Sequence, residues 1–233
     1  MRLLQNLYVL TGPVFGILSH VYAIKYSGGI VMVDGGIKNG SEESIAKWLG
    51  YWGLEKEKVT HMLITHGHWD HAGLAADYRE KGARIVAHKK ELPWIEAGGP
   101  PPDDPEQILW PPCKVDTILE GDCKFNIAEL EVEVIHVPGH TPGSVIYRIN
   151  LDGKDVWFVG DFFPPEGHPA HGVKHGWTGD QFFSSRDLIE SFKKVQRYHP
   201  DMILAGHGYL RVDGCADIPK NNYNNILLAF PSR

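Results

Sequence analysis

No apolar run in this 233-residue chain approaches the ~20 residues that a membrane-spanning helix needs. Residues 1–16 lack both a long apolar core and a small-residue cleavage pattern, so a cytoplasmic location and no membrane partner are expected. Cysteine is scarce. Cys113, Cys123 and Cys215 are odd in number and form no C-x-x-C, which predicts reduced thiols rather than a disulfide framework. Basic residues are outnumbered, 23 against 29 acidic ones, for a formal net charge of −6. They pair only at Lys89-Lys90 and Lys193-Lys194. Without a basic stripe, nucleic acid is not an expected partner. Hydrophobic content of 42% and charged content of 22% are those of an ordinary soluble globular protein, and the length fits one large domain with a sizeable core.

Histidine, in contrast, is plentiful at thirteen, and it clusters. Thr65-His66-Gly67-His68-Trp69-Asp70-His71 packs three imidazoles and a carboxylate into six residues behind the apolar run Met62-Leu63-Ile64. A random scatter of these histidines would give H-x-H-x-D-H in roughly one chain in several hundred. At a strand end, His66 and His68 point the same way because side chains alternate with period two. Asp70 and His71 fall on the turn into a helix and can aim at a neighbouring point. The pattern predicts a two-metal site.

Strands are expected over residues 7–10, 21–26, 30–34, 59–65, 84–88, 130–137, 145–151, 156–159 and 202–205. Gly28-Gly29 and Asp152-Gly153 mark hairpins. Helices are expected from Ser41 to Tyr51, from Ala72 to Lys81 and from Ser185 to Tyr198. The two β-then-α halves suggest two sheets packed face to face with helices outside. Residues 92–112, rich in Gly, Pro and Asp and bracketed by Trp94 and Trp110, read as one long loop. Residues 162–180, holding Phe162, Phe163, His171 and Trp177, read as a second. Those six residues are the expected substrate-binding walls.

Three further candidates each follow an apolar run on a glycine-flanked turn: His140, Asp161 and His207. Glycines there let the backbone approach a ligand closely. With the first cluster, the segments T-H-G-H-W-D-H-A-G, P-G-H-T-P-G-S, V-G-D and A-G-H-G, in this order, resemble the metallo-β-lactamase superfamily over residues 6–210. The resemblance implies an α/β protein built as a four-layer αββα sandwich, one domain over 1–233, with a dinuclear site at one edge. It implies that His66, His68 and His140 hold the first metal, that Asp70, His71 and His207 hold the second, and that Asp161 bridges both. Asp34, in V-D-G-G, matches an early Asp that supports the ligand loop from behind. A His/Asp ligand set suits two divalent ions; zinc is expected, with iron or manganese also compatible. Such a pair supplies a shared hydroxide as nucleophile, with Asp70 as the candidate proton acceptor.

The branch is narrower than the family. β-Lactam-hydrolysing members generally lack an acid at the Asp161 position. Glyoxalase II-like thioesterases share T-H-x-H-W-D-H-A-G but carry a C-terminal helical domain, for which the stretch after His207 is too short. N-acyl homoserine lactonases place a Tyr three residues after the bridging Asp, where this chain has Pro164. The reading is therefore hydrolysis of a small-molecule ester, thioester or lactone. The alternatives are a mononuclear iron persulfide dioxygenase, using His66, His140 and Asp161, and a β-lactamase.

Overall fold

Alternation along the strands sorts the apolar side chains into three clusters, and the clusters define the layers. In a computed structural model describing residues 1–99, 108–162, 178 and 181–230, β4 (Gly29–Val33) turns Val31 and Val33 one way and Ile30 and Met32 the other. In β11 (Lys154–Gly160), Val156 and Phe158 face one cluster while Trp157 and Val159 face another. Both faces of these strands are buried, so they read as near-continuous apolar runs.

The larger sheet runs in order β1 (Arg2–Leu4), β2 (Leu7–Val9), β3 (Tyr22–Tyr26), β4, β5 (Val59–Leu63), β6 (Arg84–His88) and β7 (Thr117–Leu119). It is antiparallel from β1 to β4 and parallel from β4 to β7. The smaller sheet runs β12 (Met202–Ala205), β11, β10 (Val145–Leu151), β9 (Leu130–His136) and β8 (Cys123–Ile127), with only β11 and β12 parallel. The first cluster lies between the sheets, where Tyr22, Val31, Leu63 and Val86 meet Val134, Tyr147, Phe158 and Leu204.

The second cluster lies under α1 (Glu42–Tyr51), α2 (Trp69–Ala72), α3 (Ala75–Glu80) and α4 (Leu92–Ile95). The third packs α5 (Ser185–Val195) and α6 (Ile218–Ala229) on the smaller sheet through Leu188, Phe192, Val195, Ile218 and Ile226. The result is the expected four-layer αββα sandwich. No helix among the described residues is long and apolar enough to cross a membrane.

The differences from expectation are local. The helix expected over 72–81 is interrupted: α2 ends at Ala72 and α3 begins at Ala75, with Leu74 between them off helical geometry at φ −102° and ψ 10°, while Gly73 lies where a Cβ would be 2.6 Å from the Gly36 carbonyl. The loop expected over 92–112 opens with α4, whose Pro93 sits in the first turn where a missing N–H costs nothing. The strands β1, β7 and β8 and the helix α6 were not anticipated. Most of the second long loop falls outside the described residues.

Candidate metal centre

The candidate ligands collect at one edge of the sandwich because β5, β9, β11 and β12 all end there. His66 and His68 follow β5, and Asp70 and His71 form the start of α2. His140 follows β9, Asp161 follows β11 and His207 follows β12. Backbone hydrogen bonds stitch these turns together: Val145 N to Thr65 O at 3.0 Å, Gly206 N to Gly160 O at 2.7 Å, and His20 N to Gly206 O at 2.8 Å. The Tyr22 hydroxyl donates to the Ala205 carbonyl and fixes the end of β12. Gly206 must be glycine, since a Cβ there would lie 2.3 Å from Asp161 Oδ1 and 2.5 Å from His71 Cε1.

Seven side chains meet in two groups. His66 Nε2 lies 3.0 Å from His68 Nδ1, and His140 Nε2 lies 3.2 and 3.1 Å from those two atoms. Beside them, His207 Nε2 lies 3.1 Å from Asp70 Oδ2 and 3.3 Å from His71 Nε2. Asp161 stands between the groups. Its Oδ2 is 3.0 Å from His207 Nε2 and 3.7 Å from His140 Nε2, and its Oδ1 is 3.3 Å from His71 Nε2. Within each of the triads His66/His68/His140, Asp70/His71/His207 and His66/His71/Asp161, the candidate ligand atoms lie within 4.8 Å of one another.

This donor set fits divalent cations. The outer nitrogen of several rings is already committed: His71 Nδ1 to Asp34 Oδ2 at 2.8 Å, His207 Nδ1 to the Leu18 carbonyl at 3.1 Å, and His66 Nδ1 to Thr65 Oγ1 at 3.1 Å. Each then donates outward and turns Nε2 into the centre, where it would ligate an ion as a lone pair. Three nitrogens bound tetrahedrally at ~2.0–2.1 Å would sit roughly 3.3 Å apart, close to the spacing found. Asp161 Oδ1 is buried and accepts no well-formed hydrogen bond, as expected of an oxygen shaped for an ion.

The electrostatics agree. Burial, with His71, His68 and His140 beside it, pushes His66 well below the ordinary imidazole value, so it stays neutral and able to ligate. Burial would push Asp161 up, but His207 and His71 hold its carboxyl well below the usual range. Burial likewise opposes charge on His71 and His207, yet the acids win. Asp70, Asp161 and Asp34 raise His71 well above its ordinary value, and Asp161 with Asp70 raises His207 to about 10. Without metal, protons on these two rings stand in for the second cation.

Asp34 sits behind the centre, as the sequence suggested. Its Oδ1 accepts from Thr65 N at 2.8 Å, its Oδ2 accepts from Thr65 Oγ1 at 2.9 Å, and it holds His71 as above. The expected substrate walls fare differently. Phe162 is fully buried and stacked on Phe192 at 4.4 Å between ring centroids, so it is core under α5 and offers a substrate no surface. Trp110 is buried in the cluster beneath α4. Trp94 is buried too, with its ring stacked on His68 at 4.9 Å, and it buttresses a candidate ligand rather than lining an open pocket. Phe163, His171 and Trp177 lie outside the described residues.

Sequence reasoning missed Leu18, whose carbonyl orients His207, and Ser19, whose hydroxyl donates to the Asp70 carbonyl at 2.7 Å. A carbonyl carries no residue-type signal. It also missed Glu91, buried among three donors from the ligand loops.

Comparison with known proteins agrees with this geometry. A probable metallo-hydrolase of Bacillus subtilis, YybB, is 28% identical over 190 residues, covering 81% of this chain and 80% of that protein. A hydroxyacylglutathione hydrolase of Rhizobium meliloti is 32% identical over 99 residues, 41% of this chain and 31% of that protein. Among solved structures, the Rm3 metallo-beta-lactamase aligns with a TM-score of 0.76 at 21% identity, over 98% of this chain and 92% of that one. BJP-1, a subclass B3 metallo-beta-lactamase of Bradyrhizobium japonicum, aligns at 0.73 and 23% identity, over 98% and 89%. At such identities these structures share the fold. The family model of the metallo-beta-lactamase superfamily matches residues 15–207, and the chain belongs to that superfamily.

Proposed function

We propose that this chain is a dinuclear metal-dependent hydrolase of a small-molecule ester, thioester or lactone. The observation that carries the reading is the pair of facing triads with Asp161 between them, its Oδ2 within 3.0 Å of His207 and 3.7 Å of His140. His66, His68 and His140 would hold one ion and Asp70, His71 and His207 the other, with Asp161 shared. Two such cations, zinc by ligand type, would supply Lewis acidity and a water deprotonated near neutral pH.

The chain's own residues do the rest. Asp34, Thr65 and the Leu18 carbonyl hold the outer nitrogens of His71, His66 and His207, so each ring presents Nε2 to the centre; His71 and His207 would release a proton there when an ion binds. Asp70, whose Oδ2 lies 3.1 Å from His207 Nε2, would take up or orient a proton at the reacting water. Of the three substrate types, thioesters have support from hydroxyacylglutathione hydrolases of two bacteria, 24% and 32% identical over part of this chain. We read residues 1–233 as one domain acting in the cytoplasm without nucleic-acid or membrane partners, in keeping with the net charge of −6.

The test is metal analysis of purified protein, with a panel of lactones, thioesters, aryl esters, phosphodiesters and a β-lactam. The expected result is about two ions per chain and turnover of a carboxylic ester, thioester or lactone. A single ion under metal-replete conditions, with persulfide oxidation, would replace this reading by the dioxygenase. Preferential β-lactam turnover would replace it by the lactamase.

A further inference from the structure

We infer that Glu91 is the positioning residue of the three-histidine half of the centre: one buried carboxylate that ties the loop of His66 and His68 to the loop of His140. Glu91 is only 1% exposed. A carboxylate so placed needs hydrogen-bond donors, and both of its oxygens find them in the ligand loops. Oε2 accepts from Gly67 N at 2.6 Å, and Gly67 lies between His66 and His68. Oε1 accepts from Gly143 N at 2.6 Å and from Thr141 Oγ1 at 2.9 Å, and Thr141 directly follows His140. The loops close on the acid with no slack. A Cβ at Gly143 would lie 2.5 Å from Oε1, and one at Gly67 would lie 2.9 Å from Oε2.

The support continues along the same segment. Trp94, three residues on, falls on the same side of the helical turn, and its ring stacks on His68 at an interplanar angle of 18°. Residues 91–94 thus hold both the backbone of the ligand loops and the ring of one ligand. Asp34 plays the matching part across the centre, where it holds Thr65 and His71. The two halves differ in charge as well as place. Asp70 and Asp161 approach His71 and His207, whereas the other triad is all imidazole. Glu91 sets a carboxylate behind that triad; burial raises its pKa, but the Gly67, Thr141 and Gly143 donors hold the charged form, which favours a cation there. Removing an outer partner of metal ligands typically weakens metal binding 10–100-fold.

The inference rests on the metal-centre reading, so wild-type binding is measured first. Fewer than two equivalents there would count against the dinuclear reading and leave the role of Glu91 to be read on the ion that binds. Chelator competition with zinc alone then compares Glu91→Gln in two backgrounds. In His207→Ala only the three-histidine half keeps its ligand set; in His140→Ala only the other half does.

The expected result is a 10–100-fold loss of zinc affinity in the first background and less than about threefold in the second. Independently of metal, the amide protons of Gly67 and Gly143 should move upfield in Glu91→Gln, having lost a carboxylate acceptor. Glu120→Gln, at the exposed partner of Lys89, should change nothing. If Glu91→Gln does not fold, Thr141→Val removes one of the three donors without burying a new polar atom, and the same half should weaken by a smaller factor. Unchanged zinc affinity of the three-histidine half, or equal loss from both halves, overturns the inference.

Discussion

Replacing Asp34 by Asn should disable the second half of the centre while leaving the fold intact. The change keeps size and shape but swaps one acceptor oxygen for an NH2 group. Thr65 N needs an acceptor and lies 2.8 Å from Oδ1, so the amide oxygen stays on that side. The NH2 then faces His71 Nδ1 and Thr65 Oγ1, which lie 2.8 and 2.9 Å from the present Oδ2. His71 can answer only by moving its proton to Nε2, the nitrogen that points at Asp161 and His207. A protonated Nε2 cannot ligate.

The expected weakening is 10–100-fold for the affected ion, or about 1.4–2.8 kcal/mol. Losing one charge-assisted hydrogen bond should lower the stability of the metal-free protein by about 1.5–3 kcal/mol. Chelator competition reads the first quantity and denaturant unfolding the second, and 15N shifts of the His71 ring report its tautomer. Asp34→Asn protein that keeps both ions at wild-type affinity, with His71 still protonated on Nδ1, would refute the reasoning.

Asp161→Ala should abolish turnover and release at least one ion, because among the described residues no other carboxylate stands between the triads; elemental analysis and activity check this. In metal-free protein His207 is raised to about 10 from an ordinary 6.5, so its contribution to stability is full below pH 6.5 and lost as pH rises toward 10. A melting temperature that climbs over that range would count against the proton stand-in, while zinc affinity should strengthen with pH as the rings release protons. Phe162→Ala should cost about 3–5 kcal/mol of stability without reordering substrates by kcat/KM; a changed ranking with unchanged stability would restore Phe162 as a pocket wall. The purified protein should cleave neither RNA nor DNA in a salt-sensitive way, as a nuclease assay across ionic strength would show.

Much of this was legible because local pattern and tertiary role coincide. The strands over 84–88, 145–151 and 202–205 match the sequence reading residue for residue, each being an apolar run bounded by breakers. The strand expected over 59–65 ends at Leu63 instead, since Thr65 N leaves the ladder to bind Asp34. The strand Cys123–Ile127 was missed although Cys-Lys-Phe-Asn-Ile alternates apolar and polar residues; it is short, and only Ile127 on its inward face is fully buried. Helix α6 was missed although Pro219 marks its first turn, because its polar run Lys220-Asn221-Asn222 reads as loop. Trp94, Trp110 and Phe162, the expected walls among the described residues, pack instead of opening a pocket, and for one shared reason. An aromatic beside a ligand is as well suited to packing as to binding, and only the finished core shows which.

The divide between the legible and the hidden parts of the centre follows from distance along the chain. Side chains that would touch metal sit in short motifs, since a strand end and its turn deliver several ligands at once. The acids that hold those motifs obey no such economy. Asp34 could be placed because V-D-G-G marks it, yet its partners Thr65 and His71 lie 31 and 37 residues on. Glu91 has no motif at all. Its donors lie 24 residues before it and 50 and 52 after it, on loops that meet only when both sheets are in place. A residue of this kind is specified by the assembled sandwich. Its effect is to convert turns that are individually free to move into a donor set held in place before any ion arrives, so the cost of ordering the site is met in folding rather than in binding. The stiffness of the centre thus depends on residues that look, in the sequence, like ordinary surface acids.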